Sequence, residues 1–241
     1  MTPTIKDYSK EIQKAIDYFW GTRNRQALEQ QQRKTEDQGT RGAVTGGKQM
    51  DGFVNLLKQV AMDMGVDEKY IYTAGNPLPG FFRPSKDWDF LIISPKKHLI
   101  ASVELKSQVG SFGNNFNNRT EEALGSAVDL WTAFRENVFP KQHSPWVGYV
   151  MVLEESSESM KPVKVIEPHF KALQEFKNTS YAERYRLLCK KLMLERHYTA
   201  TALILTSKKR DYRSLSEEVS IQKMIASFAG YLSGKIQEFE E

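Results

Sequence analysis

The 241-residue chain has a single cysteine, Cys189, so it can neither close an intrachain disulfide nor build a cysteine zinc knuckle or iron–sulfur cluster. A reducing compartment fits that scarcity. No apolar run approaches the roughly 20 residues that span a bilayer, and Met1 to Tyr8 is polar, without the apolar core of a signal peptide. The expected setting is cytoplasmic, away from membranes. A strong charge bias is missing too: the formal net charge of +4 is compatible with nucleic-acid binding but too mild to argue for it. The histidines, His98, His143, His169 and His197, are scattered without ligand spacing, and no internal repeat is present.

What the chain does have is apolar material, 40% of its residues, enough for one domain over 1–241. Ile12, Ala15, Ile16, Phe19 and Trp20 recur at helical spacing and predict a helix over 8–33, followed by a polar, glycine-rich loop to Gly47. Phe53, Val54, Leu56, Leu57, Val60, Ala61 and Met64 predict a second helix, completing a helical part over about 1–66. A catalytic core over about 67–210 follows, and a closing helix over about 214–239. Within the core, 70–73 reads as a short strand, while Gly75 to Gly80 carries two prolines and two glycines and reads as loop. Residues 88–94 and 99–106 read as central strands, apolar on both faces, joined by Pro95-Lys96-Lys97-His98. Then come a loop over 110–119, a helix over 120–137 with Ala123, Ala127, Leu130, Trp131 and Phe134 inward, a strand over 146–153, a helix over 181–196 and a strand over 199–206. This order predicts an α/β fold with a mixed central β-sheet flanked by helices.

The chemistry gathers on the proposed hairpin. Centring its turn on Lys96 and Lys97 sets Asp89 opposite Glu104 and Asp87 opposite Lys106. Facing residues of an antiparallel pair have Cβ atoms about 4.5–5.5 Å apart. Two carboxylates that close, beside a greasy strand, need a counter-charge, and a hard divalent cation supplies one. Asp89, Glu104 and the Leu105 carbonyl are the expected ligands of Mg2+. Lys106 is the expected catalytic amine, placed to orient or help deprotonate a water in phosphodiester hydrolysis. Asp87, at the fraying end, reads as a solvated or capping residue.

These residues carry a resemblance. Asp89-Phe90-Leu91-Ile92 with Val103-Glu104-Leu105-Lys106 resembles the PD-(D/E)xK nuclease motif, although Ser85 to Trp88 departs from a literal Pro-Asp. The runs from Thr40 to Phe53, from Glu104 to Val109 and from Ser111 to Ala123 resemble the XhoI family of type II restriction endonucleases, with similarity over nearly the whole chain. That resemblance implies a PD-(D/E)xK core and a Mg2+-requiring homodimer. It also implies that the enzyme recognises CTCGAG in double-stranded DNA, cuts after the first cytosine to leave 5′ overhangs, and works beside a cognate DNA methyltransferase. Two rival readings are a repair or junction-resolving nuclease on the same core and a noncatalytic sequence-specific DNA-binding protein.

Base readout needs paired donors and acceptors, which Asn offers to adenine and Arg to guanine. Asn114, Asn115, Asn117, Asn118 and Arg119, directly after the catalytic strand, are the DNA-binding candidates. The bland alternative is turn chemistry, with Asn118 or Thr120 capping the next helix and Glu121 and Glu122 in its first turn. An added metal-site role is the alternative for those two acids. Gly42 to Lys48 imitates a Walker A loop, but Gln49 stands where a Ser or Thr is required and no apolar strand precedes it. Lys48 is therefore assigned to a DNA phosphate, beside the reading of plain turn glycines. From Arg184 to Arg213, nine basic residues meet two acids, a stretch facing either phosphate or solvent. Cys189, between Leu188 and Leu192, reads as a small buried hydrophobe.

Overall fold

A computed structural model describes residues 6–36 and 47–239. Two helices open the chain, α1 (Ser9–Glu36) and α2 (Asp51–Asp63). α1 buries the stripe its spacing predicts, Ile12, Ala15, Ile16, Phe19 and Trp20, and α2 buries Phe53, Leu56, Leu57, Val60 and Ala61. The helices touch at Gly52, where a Cβ would stand 2.9 Å from the Ala15 Cα, so this close approach admits only glycine.

The strands follow in chain order as β1 (Ile71–Tyr72), β2 (Pro77–Pro79), β3 (Ser85–Asp87), β4 (Phe90–Ile93), β5 (Leu99–Gln108), β6 (Trp146–Glu154), β7 (Ala200–Thr206) and β8 (Tyr212–Arg213). Six of them form one mixed sheet, ordered β1-β4-β5-β6-β7-β8. β5, β6 and β7 run parallel, whereas β1, β4 and β8 pair antiparallel with their neighbours. Helix α3 (Phe112–Arg135) links β5 to β6, and α4 (Ser157–Met160) with α5 (Tyr181–Leu194) links β6 to β7. Both crossovers step the same way along the sheet, so the right-handed rule sends α3 and α5 to one face. Helices α1, α2 and α6 (Ile221–Ser233) cover the other. Alternation divides the strands between two cores: Phe90, Val103, Leu105, Val150 and Ile204 face α1, α2 and α6, while Leu91, Tyr149, Met151 and Leu203 face α3 and α5. No helix among the described residues is long and apolar enough to cross a membrane.

Five expectations are corrected. Pro77–Pro79, expected as loop, pairs with Ser85–Asp87 in a small separate ribbon. Leu78 is the residue of β2 with an N–H, so the ladder passes through its pair with Lys86 and the prolines sit where no donor is needed. The ribbon also removes Asp87 from its expected place opposite Lys106, because Asp87 pairs with Pro77 instead. The segment from Phe112 to Arg119, expected as loop, forms the first two turns of α3. Phe112 lies 6.2 Å from the Tyr181 ring and Phe116 meets Tyr185 edge-on at 5.0 Å, and this packing overrides the preference of asparagine for turns. Ser111, not Asn118 or Thr120, precedes the helix, in the left-handed region at φ 48°. The closing helix is likewise shorter than expected: it starts at Ile221, where the Ser220 side chain accepts from the Lys223 N–H, and ends at Ser233.

Candidate active site

The β4–β5 hairpin turns through three residues, Pro95, Lys96 and Lys97, with Ser94 N–H donating to the His98 carbonyl at 2.9 Å and Lys97 at φ 63°. Continued as a regular ladder, that turn sets Asp89 opposite Val103 and sends the two acids to opposite faces. A bulge prevents this. Ile93 pairs with Leu99 but Ile92 pairs with Ala101, leaving Ile100 as an extra residue on β5. Leu91 then faces Ser102 and Phe90 faces Val103, and the next step brings Asp89 against Glu104. Its Oδ2 accepts the Leu105 N–H at 2.7 Å.

Glu104 lies on the α3/α5 face with its side chain only 3% exposed, held between two ammonium groups. Lys106 Nζ stands 2.5 Å from Oε1, and Lys86 Nζ contacts Oε2. Lys106 also comes within 4.0 Å of Glu122, which pairs with Arg119 at 2.5 Å. Burial first, and then the charge of Glu104, raise the Asp89 carboxyl above the usual carboxylate range. Burial pulls the Lys106 ammonium down, but the charge and hydrogen bond of Glu104 outweigh it and leave its pKa raised. The three sequence-predicted catalytic residues thus share one cavity of about 550 Å³, closed on its far side by Glu121, Glu122 and Gly125 of α3.

The predicted DNA-binding residues are dispersed. Asn118 sits on α3 one turn before Glu121 and Glu122, on the stripe that faces the cavity. Arg119 is engaged by Glu122, and Asn115 Nδ2 donates to the Ser111 carbonyl at 3.0 Å. Asn117 lines a different cavity, with Val163 and Ile166. The Asn114 side chain lies outside the described residues, as does most of the Walker-like loop, from Gly42 to Gly46. Lys48 is exposed at the start of a single 3₁₀ turn, and its neighbour Gln49 reaches Ser107 Oγ at 3.4 Å, just beyond Lys106 in sequence. Glu121 and Glu122 occupy the third turn of α3, not the first. Much of the basic stretch is paired within the chain: Arg186 and Lys190 with Glu218, Lys191 with Glu175, Arg213 with Glu155. Lys208, Lys209 and Arg210 are exposed. Cys189 is fully buried and burial pushes its thiol up to about 12, as suits a core hydrophobe.

Two features escaped the sequence. One is Lys86, which only the β2–β3 ribbon folds back onto Glu104. The other is Asp129, buried in α3, whose Oδ1 accepts the N–H groups of Phe81 and Phe82 at 2.8 Å each and whose Oδ2 meets Arg83 Nε at 2.6 Å. This carboxylate fixes the rim of the cavity, which Phe82 and Arg83 line. Gly80 is required beside it, since a Cβ there would stand 2.5 Å from Oδ2. Burial tends to raise the Asp129 carboxyl, but the three hydrogen bonds and the Arg83 charge prevail and hold it below the usual carboxylate range. A lowered folded pKa stabilises the fold fully above the unfolded value and loses that contribution as pH falls through the folded one. Asp129→Asn is therefore expected to cost about 1.5–3 kcal/mol at neutral pH, the worth of hydrogen bonds to a charged group. Urea unfolding of both proteins across the acid range checks this: the gap should close below the carboxylate range, and a constant gap would show that the charge is not responsible.

Among the described residues, no group of three or more His, Cys, Asp or Glu is placed to hold a metal. The donors at the hairpin are the carboxylates of Asp89 and Glu104, which line one cavity, with the Leu105 carbonyl on the strand between Glu104 and Lys106, all hard oxygens of the kind that suit a cation completing its shell with water.

Comparisons with known proteins identify the family. The family described as restriction endonuclease XhoI matches residues 29–216. The type II restriction enzyme BstVI of Geobacillus stearothermophilus is 51% identical over 189 residues, covering 76% of this chain and 84% of that one. The type II restriction enzyme XhoI of Xanthomonas vasicola is 40% identical over 199 residues, 81% and 79% of the two chains. The type II restriction enzyme AbrI of Azospirillum brasilense is 42% identical over 174 residues, 71% and 78%. No solved structure matches. A family match over most of the chain, with relatives this similar, establishes that the chain belongs to the XhoI restriction endonuclease family and is a type II restriction endonuclease.

Proposed function

We propose that the chain is a Mg2+-dependent nuclease with a PD-(D/E)xK core that cleaves double-stranded DNA at CTCGAG, after the first cytosine, leaving 5′ overhangs. The observation that carries the catalytic part is Asp89 and Glu104 on one sheet face with Lys106 against Glu104. The recognition sequence follows the family resemblance.

Asp89, Glu104 and the Leu105 carbonyl would hold the metal. When bound, Mg2+ supplies Lewis acidity and neutralises charge on the scissile phosphate. Asp89 is held to the strand by the Leu105 N–H, which fixes its carboxylate without side-chain freedom. Lys106, against Glu104 on the same strand face, would orient the attacking water or help deprotonate it. Asn118 is the favoured base reader among Asn114, Asn115, Asn117, Asn118 and Arg119, because it continues the stripe that faces the catalytic cavity. Lys48 is assigned to a DNA phosphate. A palindrome presents the same half-site twice, which a two-fold homodimer matches, each subunit cutting one strand. In this reading 1–241 works as one endonuclease domain in the cytoplasm, and a cognate methyltransferase protects the host DNA.

The test is incubation of the purified chain with a plasmid carrying one CTCGAG site, with Mg2+ or with a chelator, followed by sequencing of the ends. Linear product with TCGA overhangs, formed only with Mg2+, is the expected result. Cutting at another sequence would overturn the specificity, and intact plasmid under every divalent cation would overturn the nuclease reading.

A further inference from the structure

Both oxygens of Glu104 are taken by ammonium groups, Oε1 by Lys106 and Oε2 by Lys86. A divalent cation shared with Asp89 needs one of those oxygens, so one lysine must give way. The two lysines are anchored differently. Lys106 projects from β5 itself, two residues from Glu104 on the same strand face, and has Glu122 as its other neighbour. Lys86 comes from the β2–β3 ribbon, outside the main sheet. Its ammonium also donates to the Asp87 carbonyl at 2.9 Å and lies 4.4 Å from the centroid of the Trp88 ring.

We infer that Lys86 is the resident counter-cation of the metal-free site: it holds Glu104 Oε2 until a divalent cation arrives and is displaced by it. The inference rests on the proposed metal site at Asp89 and Glu104. Two carboxylates, Asp89 and Glu104, stand together at this cavity and Lys106 supplies one counter-charge, which leaves room for a second, and Lys86, 12% exposed, supplies it on Glu104. An ammonium and a dication competing for the same carboxylate oxygen repel each other at close range, so Lys86 and the cation exclude one another at Oε2, while Lys106 stays on Oε1. The Asp87 carbonyl and the Trp88 face give the displaced ammonium partners that remain after Glu104 is lost to it. Lys86 is thus a positioning residue that sets how tightly the empty site resists metal.

Calcium binding measured by calorimetry on the DNA-free protein tests this without reference to cleavage. Lys86→Met should bind Ca2+ roughly tenfold or more tightly than the parent chain, whereas Lys86→Arg, which keeps the charge, should stay near the parent value. Thermal unfolding gives a second readout: Lys86→Met should melt lower than the parent without metal and gain more from Ca2+. If Lys86→Met does not fold, Lys86→Gln should show the same tightening in smaller measure. Unchanged or weaker Ca2+ affinity on removing the charge overturns the inference. Glu104→Gln separates the two readings: if it loses Ca2+ binding while Lys86→Met matches the parent, only the role of Lys86 fails. Ca2+ binding unaffected by Glu104→Gln, or absent from every variant, overturns the metal site and the inference with it.

Discussion

Glu104→Gln is expected to lower the single-turnover rate of cleavage by about a thousandfold or more, the scale seen when one electrostatic contributor to a transition state is removed. The substitution keeps the shape of a side chain that is 3% exposed, so the loss reports on charge. It removes a ligand of the proposed metal and also the anion shared by Lys86 and Lys106. The amide oxygen can accept from only one ammonium while its N–H₂ points at the other, and the negative charge that balanced the two lysines is gone. DNA brings its own anions, so affinity for the cognate duplex should stay within a few-fold, measured by gel shift in the absence of divalent metal. A variant that cuts within about tenfold of the parent rate would remove Glu104 from the chemistry.

The largest expected effect on stability lies on the opposite face of the sheet. Gly148 sits in β6 beneath the Trp146 side chain, and a Cβ there would stand 2.4 Å from Trp146 Cζ3, 2.7 Å from Cη2 and 2.8 Å from Met224 Cε. The indole cannot swing aside. Its Nε1 donates to Ser227 Oγ at 3.1 Å, and its ring packs against Phe228 at 4.8 Å between centroids. Gly148→Ala is therefore expected to cost about 3 kcal/mol, near the upper end of overpacking in a core that has no void to absorb a methyl group. Chemical denaturation measures it. Combining it with Trp146→Leu should cost less than the two single changes together, because the smaller side chain vacates the space the methyl needs. Additive losses would mean that the ring is not what Gly148 accommodates.

Alternation explains how much of the site was legible in the sequence. A period of two puts Glu104 and Lys106 on one face from residue numbers alone, but the even turn expected around Lys96 and Lys97 is a three-residue turn, and Asp89 reaches Glu104 only because the extra residue at Ile100 restores the expected register. The central strands were legible for a related reason, since strands buried on both faces are continuously apolar. The start of α3 was not, because it depends on Phe112 and Phe116 meeting Tyr181 and Tyr185, residues far along the chain that no local pattern links to them. Local propensity read the asparagines as a turn, and tertiary packing decided otherwise. Lys86 was hidden by the prolines of β2, whose ribbon brings it to Glu104. Asp129 looks like any polar residue in an amphipathic helix until the backbone of Phe81 and Phe82 arrives to claim it. The recognition sequence was not derivable from periodicity or charge at all; only the resemblance supplied it.

The surplus residue at Ile100 has a consequence for how this hairpin can change over time. Between the tip and the acid pair it acts as slack, taking up the mismatch between an odd-numbered turn and the spacing that the cores impose on Phe90, Leu91 and Ile92. Tip length is thereby decoupled from chemistry. Residues around Lys96 can be gained, lost or exchanged, and the irregularity can shift or vanish to compensate, while Asp89 stays anchored from the other end by greasy neighbours that have no freedom to turn over.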